Sequence, residues 1–160
     1  MPQRPARHDD IPTIQKICRQ HREAFGFVQR PVLADAVDRQ NPENPEADQR
    51  HILIVVTDDA DGVIGFLRLY HRLDDTTTLH EIGVERAHIC QGIGSALMQR
   101  AIAETRAHGQ QALQLSVPVE RESNAWYPRF GFVQDGTRAG RVRDLNRYRL
   151  DLDPEHDRVS

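Results

Sequence analysis

The apolar positions change their period several times along the chain, and each change marks an element. Ile11, Ile14, Ile17 and Cys18, then His21, recur at helical spacing. They trace one face of a helix that starts at an acidic cap, His8-Asp9-Asp10, with Pro12 in its first turn, and runs to about Phe25, where Gly26 ends it. Val32, Leu33, Ala36 and Val37 repeat the pattern over Arg30 to Arg39, with Pro31 early. Ahead of both helices, Arg4 to Arg7 is expected to begin a first strand. The polar, proline-bearing run from Gln40 to Arg50 reads as a loop.

Two strands follow, Ile52 to Thr57 and Val63 to Tyr70, and the Asp61-Gly62 step between them is a hairpin signal. A polar turn at Asp74 to Thr77 leads into the stretch around which the chain is organised, Thr78 to Gly109. Leu79, Ile82 and Val84 belong to a strand there, and Ile93, Leu97, Ala101 and Ile102 to a long amphipathic helix behind a glycine-bearing turn. Ala112 to Val117 alternates as another strand, Glu122 to Phe132 opens as a short helix into a strand, and Arg141 to Leu152 is a terminal strand. The resulting order is strand, two helices, three strands, helix, strand, short helix and two strands. It is α+β with a mixed sheet, and there are no internal repeats.

A chain of 160 residues suits a single domain over 1–160 with room for one real core. Net charge is −3, so composition exerts no general pull toward nucleic acid or an anionic membrane. Lys16 is the only lysine, and every other basic side chain apart from histidine is arginine. Cys18 and Cys90 lie far apart, the N-terminus is not signal-like, and no apolar run is long enough to span a bilayer. The expectation is a cytoplasmic protein with reduced thiols. The histidines and cysteines lack metal-ligand spacing, so no metal is expected.

Gly92 and Gly94 stand at the junction of strand and helix. Glycine there lets a ligand approach the backbone, and the unpaired first-turn amides with the positive end of the helix dipole suit a phosphate or pyrophosphate. A dinucleotide fingerprint would need a third glycine and a nucleotide P-loop a Gly-Lys-Ser/Thr step, and neither occurs. Taken alone, the same two glycines also fit an ordinary strand-to-helix turn.

With its neighbours, Val84-Glu85-Arg86 and Ile89-Cys90-Gln91-Gly92-Ile93-Gly94, the turn resembles the acetyl-CoA-binding motif of the GNAT superfamily of N-acyltransferases. In that motif a strand ending in a Val-x-Pro-like step leads to Arg/Gln-x-x-Gly-x-Gly/Ala and a helix. Arg86 stands at the proline position and Ile89 at the Arg/Gln position. Tyr127-Pro-Arg-Phe-Gly131-Phe132 resembles the family's Tyr-x-x-x-Gly-Phe, and Asn124 before it resembles an asparagine that often contacts the cofactor. The order of elements is also the GNAT order, so the resemblance covers nearly the whole chain. It implies a mostly antiparallel, twisted central sheet of six to seven strands flanked by about four helices. It also implies acetyl-CoA as co-substrate with an amine acceptor, and often a homodimer.

For the site, the resemblance implies that Ile82, Gly83 and Val84 pair through their backbone with the pantetheine arm. Ile89, Cys90, Gln91, Gly92, Ile93, Gly94 and Ser95 would form the phosphate loop, with Gln91 or Arg86 as side-chain help. Tyr127 would give a proton to the departing thiolate, and Glu81 would act as base through water. A lysine-like amine of pKa about 10.4 costs roughly 4 to 5 kcal/mol to deprotonate at pH 7, which is what such a base relieves.

Several alternatives stay open. Glu81 also reads as a polar residue on the solvent face of a strand, His80 on the other face competes for the base role, and Tyr127, without the family motif that favours function, reads as core with its hydroxyl at the rim. A regulatory module that binds CoA without turnover would carry the same motif. Arg138, Arg141, Arg143, Arg147 and Arg149 suggest contact with phosphate, but Asp135, Asp144, Asp151 and Asp153 interleave them as on a mixed, solvated surface.

Overall fold

The computed structural model describes residues 1–22, 28–141 and 143–152, so the expected helix end at Phe25 and Gly26, the apolar Val142 and the acidic Asp153 lie outside the described residues. Seven strands, β1 (Gln3–Pro5), β2 (His51–Thr57), β3 (Val63–His71), β4 (Thr76–Val84), β5 (Ala112–Pro118), β6 (Val133–Ala139) and β7 (Asp144–Asp151), form one sheet in the order β1-β2-β3-β4-β5-β7-β6. The α-helices among the described residues are α1 (Ile11–Gln20), α2 (Arg30–Gln40) and α3 (Ile93–Ala107). The chain divides into two compact units, Met1–Tyr70 with Leu79–Ala101 and His71–Thr78 with Ile102–Ser160.

In the first unit the helical face read from the apolar spacing is the face that is buried. Ile11, Ile14 and Ile17 of α1 are fully enclosed, together with Leu33, Ala36 and Val37 of α2 and Leu53, Val55 and Phe66 of the sheet. Pro12 occupies the first turn of α1, where a missing amide costs no helical bond. Asp10 does not cap α1 with its side chain, as the acidic cap predicted. Its carboxylate instead accepts from the Arg7 amide at 2.8 Å and from both terminal nitrogens of Arg4 at 2.7 and 3.0 Å, which ties β1 to the helix start. The helix α1 spans Ile11–Gln20, and the His21 ring nitrogen Nε2 donates to the carbonyl of Val84 at 2.8 Å.

The β2–β3 hairpin forms as expected. Asp58 accepts from the amides of Ala60 and Gly62 at 2.9 and 2.8 Å, and Asp61 takes a φ of 63°, a conformation that aspartate tolerates better than most side chains. Where β3 meets α3 the sheet has no side chain. A Cβ on Gly65 would stand 3.0 Å from Ile93 Cγ2 and 3.3 Å from Leu97 Cδ1, so the helix lies directly on the strand.

In the second unit β4 and β5 run parallel only over Thr76–Thr78 against Ala112–Gln114, and β5 continues as an antiparallel partner of β7 along its whole length. Leu113, Leu115, Val117, Tyr148 and Leu152 are buried. The expected short helix is two 3₁₀ turns, Glu122–Ala125 and Tyr127–Phe130, closed by Gly131 at φ 99°. The last strand pair, β6 with β7, leaves every residue of β6 exposed. Among the described residues no helix is long and apolar enough to cross a membrane.

Candidate active site

The turn between β4 and α3 is held from both sides. The Glu85 amide donates to the Ile64 carbonyl at 2.8 Å, and its carboxylate accepts from the Ala87 amide at 2.9 Å and from Gln20 Nε2 at 3.2 Å. The Gln20 hydrogen bond is the main cause that holds the Glu85 carboxyl below the usual range. Gln20 Oε1 in turn accepts from the Arg86 amide at 2.9 Å. The end of α1 therefore anchors the start of the loop through Gln20 and His21.

Beyond this anchor the loop is open. Ile89, Cys90, Gln91 and Gly92 are exposed, and Cys90 and Gly92 take φ values of 68° and 81°. No atom lies within 4 Å of where a Gly92 Cβ would stand. The Gly92 carbonyl accepts from the Ala96 amide at 3.0 Å, so α3 starts here and the amides of Ile93, Gly94 and Ser95 have no carbonyl one turn back within the helix. Gln91 Oε1 lies 3.4 Å from His88 Nδ1, and one Arg86 nitrogen donates to the Gln20 carbonyl at 3.3 Å. Both proposed side-chain helpers thus have protein partners.

Glu81 is not on a solvent face, contrary to one of its two sequence readings. Only 7% of it is exposed, while His80 beside it on β4 is exposed. Both Glu81 oxygens are gripped by Arg68 of β3, with Oε1 2.6 Å from Nε and Oε2 2.9 Å from Nη2. Two charges buried this far need each other, because an isolated one would lose its hydration without compensation. Cys18 of α1 is near the pair. Burial first, then the Glu81 charge, pushes its thiol up to about 12, so it stays a neutral packing group. Arg68 escaped the sequence reading, although one signal was available: a lone charge inside the otherwise apolar strand Val63–Tyr70 calls for a buried partner.

In the second unit Tyr127 is 8% exposed, with its ring edge-on to Trp126 at 5.2 Å and to Phe132 at 6.1 Å, and tilted against Tyr148 at 5.7 Å. Burial, and secondly Tyr148, pushes its hydroxyl up to about 12. Its hydroxyl makes no hydrogen bond among the described residues, whereas Tyr148 donates to Asn124 Oδ1 at 2.8 Å. Asn124 is spent on the fold. Its Nδ2 donates to the carbonyls of Arg121 and Pro118 at 2.7 and 2.9 Å, and Oδ1 also accepts from Asn146 at 2.9 Å. Pro128 enters the first turn of a 3₁₀ segment, where it removes no needed amide. The arginines near the C-terminus carry acidic partners: Arg143 with Glu120, Arg147 with Asp135 and Arg149 with Asp151.

The model of the acetyltransferase (GNAT) domain matches residues 49–134, more than half of the chain. The protein belongs to the GNAT acetyltransferase family. The matched span contains the turn, Glu81, Arg68 and the Tyr127 segment. No curated protein matches the chain. Among solved structures, the ribosomal-protein-S18-alanine N-acetyltransferase of Escherichia coli is similar at 21% identity, over 94% of this chain and 92% of its own, with a TM-score of 0.72. The spermidine N-acetyltransferase of Vibrio cholerae matches at 18% identity over 94% and 95%, with a TM-score of 0.73. The yncA protein of Salmonella typhimurium, solved with acetyl-CoA, matches at 20% identity over 96% and 94%, with a TM-score of 0.75. At these identities the likeness is one of fold. The mixed, seven-stranded and mostly antiparallel sheet is the GNAT sheet, as the order of elements implied.

Proposed function

We propose that this GNAT protein is an acetyl-CoA-dependent N-acetyltransferase that moves an acetyl group directly to a primary amine of a small molecule or peptide in a ternary complex. The observation that carries the reading is the open loop over the start of α3, with Gly92 at φ 81° and free space above it, in a chain of this family. The exposed loop and the first-turn amides of Ile93, Gly94 and Ser95 fit a pyrophosphate, with backbone donors supplying the contacts that the apolar Ile89 does not. Acetyl-CoA supplies the thioester carbon. The backbone of Ile82, Gly83 and Val84 is assigned to orient it, a positioning role of the kind that lowers barriers by removing motional freedom.

In the transfer the C–N bond forms as the C–S bond breaks. The amine's proton leaves through water to Glu81, and the Tyr127 hydroxyl gives its proton to the sulfur. Tyr127 is assigned the donor role because its hydroxyl makes no hydrogen bond among the described residues, and burial, which pushes it up to about 12, keeps it protonated at neutral pH. Asn124, by contrast, serves the site through the position of the Tyr127 segment, since its amide is already used. We further place the protein in the cytoplasm as a single domain, without a metal, and assign the exposed edge strand β6 as the surface for any homodimer.

The test is calorimetry with acetyl-CoA and free CoA, followed by acetyl-CoA-dependent thiol release with a panel of amines that includes an alanine-initiated peptide and spermidine. Micromolar binding, about −8 kcal/mol, with turnover that falls in Glu81→Gln and Tyr127→Phe supports the proposal. Exposed Ile89 favours a second reading, a module that binds CoA without turnover. Binding with no turnover on any amine would select it.

A further inference from the structure

Building on the assignment of Glu81 as base, we propose that Arg68 is the positioning residue of the reaction, holding the Glu81 carboxylate in one plane and one orientation. The geometry is specific. Nε and Nη2 of one guanidinium meet the two oxygens of one carboxylate at 2.6 and 2.9 Å, a fork-to-fork arrangement that fixes the plane of the acid as well as its charge. The pair links adjacent strands, and its side chains are only 15% and 9% exposed, so bulk solvent screens it weakly. Arg68 from β3 grips both oxygens, and Cys18 from α1, a neutral thiol at working pH, also lies near. Arg68 is therefore the group that fixes the orientation of the buried glutamate. Each oxygen gives one lone pair to Arg68 and keeps another for the water that delivers the proton.

A purely structural pair would affect folding and nothing else, so the test needs readouts that folding does not move. These are the pH profile of kcat/KM, the affinity for acetyl-CoA, and the ¹³C carboxylate shift of Glu81. They are measured in the wild type, Arg68→Met, Arg68→Lys, Glu81→Gln and the double variant Arg68→Met/Glu81→Gln. In Arg68→Met the carboxylate loses its facing cation, so the acidic limb of the kcat/KM profile and the ¹³C signal of Glu81 should both depart from wild type. The same variant should lose at least tenfold in kcat, with acetyl-CoA affinity within about twofold of wild type. Arg68→Lys should recover part of the limb but not the full rate, because a point charge cannot grip both oxygens.

The double variant strands no charge and so guards against misfolding. Its rate should equal that of Glu81→Gln, as expected if Arg68 acts only through Glu81. The inference is overturned if Arg68→Met keeps the wild-type rate and limb while Glu81→Gln loses the limb, or if the double variant is at least tenfold slower than Glu81→Gln. If Glu81→Gln itself leaves rate and limb intact, or no amine is acetylated, the base assignment fails and the role of Arg68 falls with it.

Discussion

The ring of His108 lies flat on that of His71, with centroids 4.2 Å apart and planes 8° from parallel. His71, the last residue of β3, is 1% exposed, and its Nδ1 is hydrogen-bonded to Thr77 Oγ1 at 2.7 Å. His108 follows the last turn of α3, so the stack fastens the end of that helix to the sheet within the second unit. His71→Ala would remove a fully enclosed ring and leave the Thr77 hydroxyl without that partner. The expected cost is about 2 to 4 kcal/mol, read as a lower urea midpoint with an unchanged slope. His108→Ala should cost less, because it deletes only the outer ring of the stack.

Acid should loosen the start of the chain through Asp10. Burial alone would raise its carboxyl, but the Arg4 hydrogen bonds and the Arg7 amide outweigh it, and the net position is below the ordinary value. A carboxyl lowered by folding stabilises above its unfolded pKa of about 4, and that stabilisation is lost as pH falls further toward the folded value. Asp10→Asn should therefore be less stable than wild type at pH 7 by about 1 to 3 kcal/mol, and the gap should narrow below about pH 4. Thermal melts of both proteins from pH 7 to pH 3 would show this. A gap that stays constant across that range would mean that Asp10 acts through packing alone.

Much of the fold was readable because period and burial coincide. Ile11, Ile14 and Ile17 sit on the face that is enclosed, and the polar Asp58 to Gly62 step closes the hairpin it suggests. The tether that holds the end of α1 was not readable, since His21 reaches the Val84 carbonyl sixty-three residues away. Within the site, the loop and Tyr127 were visible as motifs, but the state of Glu81 was not. A strand glutamate reads as a solvent residue until its partner is known, and that partner lies thirteen residues earlier on another strand. Asn124 shows the opposite limit: a motif position can be named from sequence, yet its hydrogen bonds are decided by Tyr148 and Asn146 from β7.

The two glycines around the loop should respond differently to alanine. Gly92 has open space but a φ of 81°, so Gly92→Ala meets only backbone strain, about 1 to 2 kcal/mol. Gly65 has an ordinary backbone but would press its Cβ on Ile93 at 3.0 Å and on the Gly83 carbonyl at 3.3 Å. Gly65→Ala should shift the start of α3 and Gly92→Ala should turn the loop amides, so both should weaken acetyl-CoA binding, by about tenfold for a 1.4 kcal/mol loss. Calorimetry beside urea unfolding separates them. Gly65→Val should lose stability through contact with Ile93 and the Gly83 carbonyl, whereas at Gly92 valine should cost clearly more than alanine through the left-handed backbone alone, which a β-branched side chain resists.

Tyr127→Phe keeps the ring among Trp126, Phe132 and Tyr148 and deletes a hydroxyl that makes no hydrogen bond among the described residues. Stability should therefore change by less than about 1 kcal/mol, while kcat should fall by about 10² or more if that hydroxyl protonates the leaving sulfur. Tyr148→Phe supplies the contrast. It breaks the hydrogen bond to Asn124 at 2.8 Å, so it should lose about 1 kcal/mol of stability and affect the rate only through the position of the segment. The pH profile adds a sign. A phenol raised to about 12 stays protonated across the working range, so Tyr127 should contribute no alkaline limb below about pH 11. An alkaline limb near pH 9 that disappears in Tyr127→Phe would contradict the burial that sets its pKa, and an unchanged kcat in that variant would remove Tyr127 from the reaction.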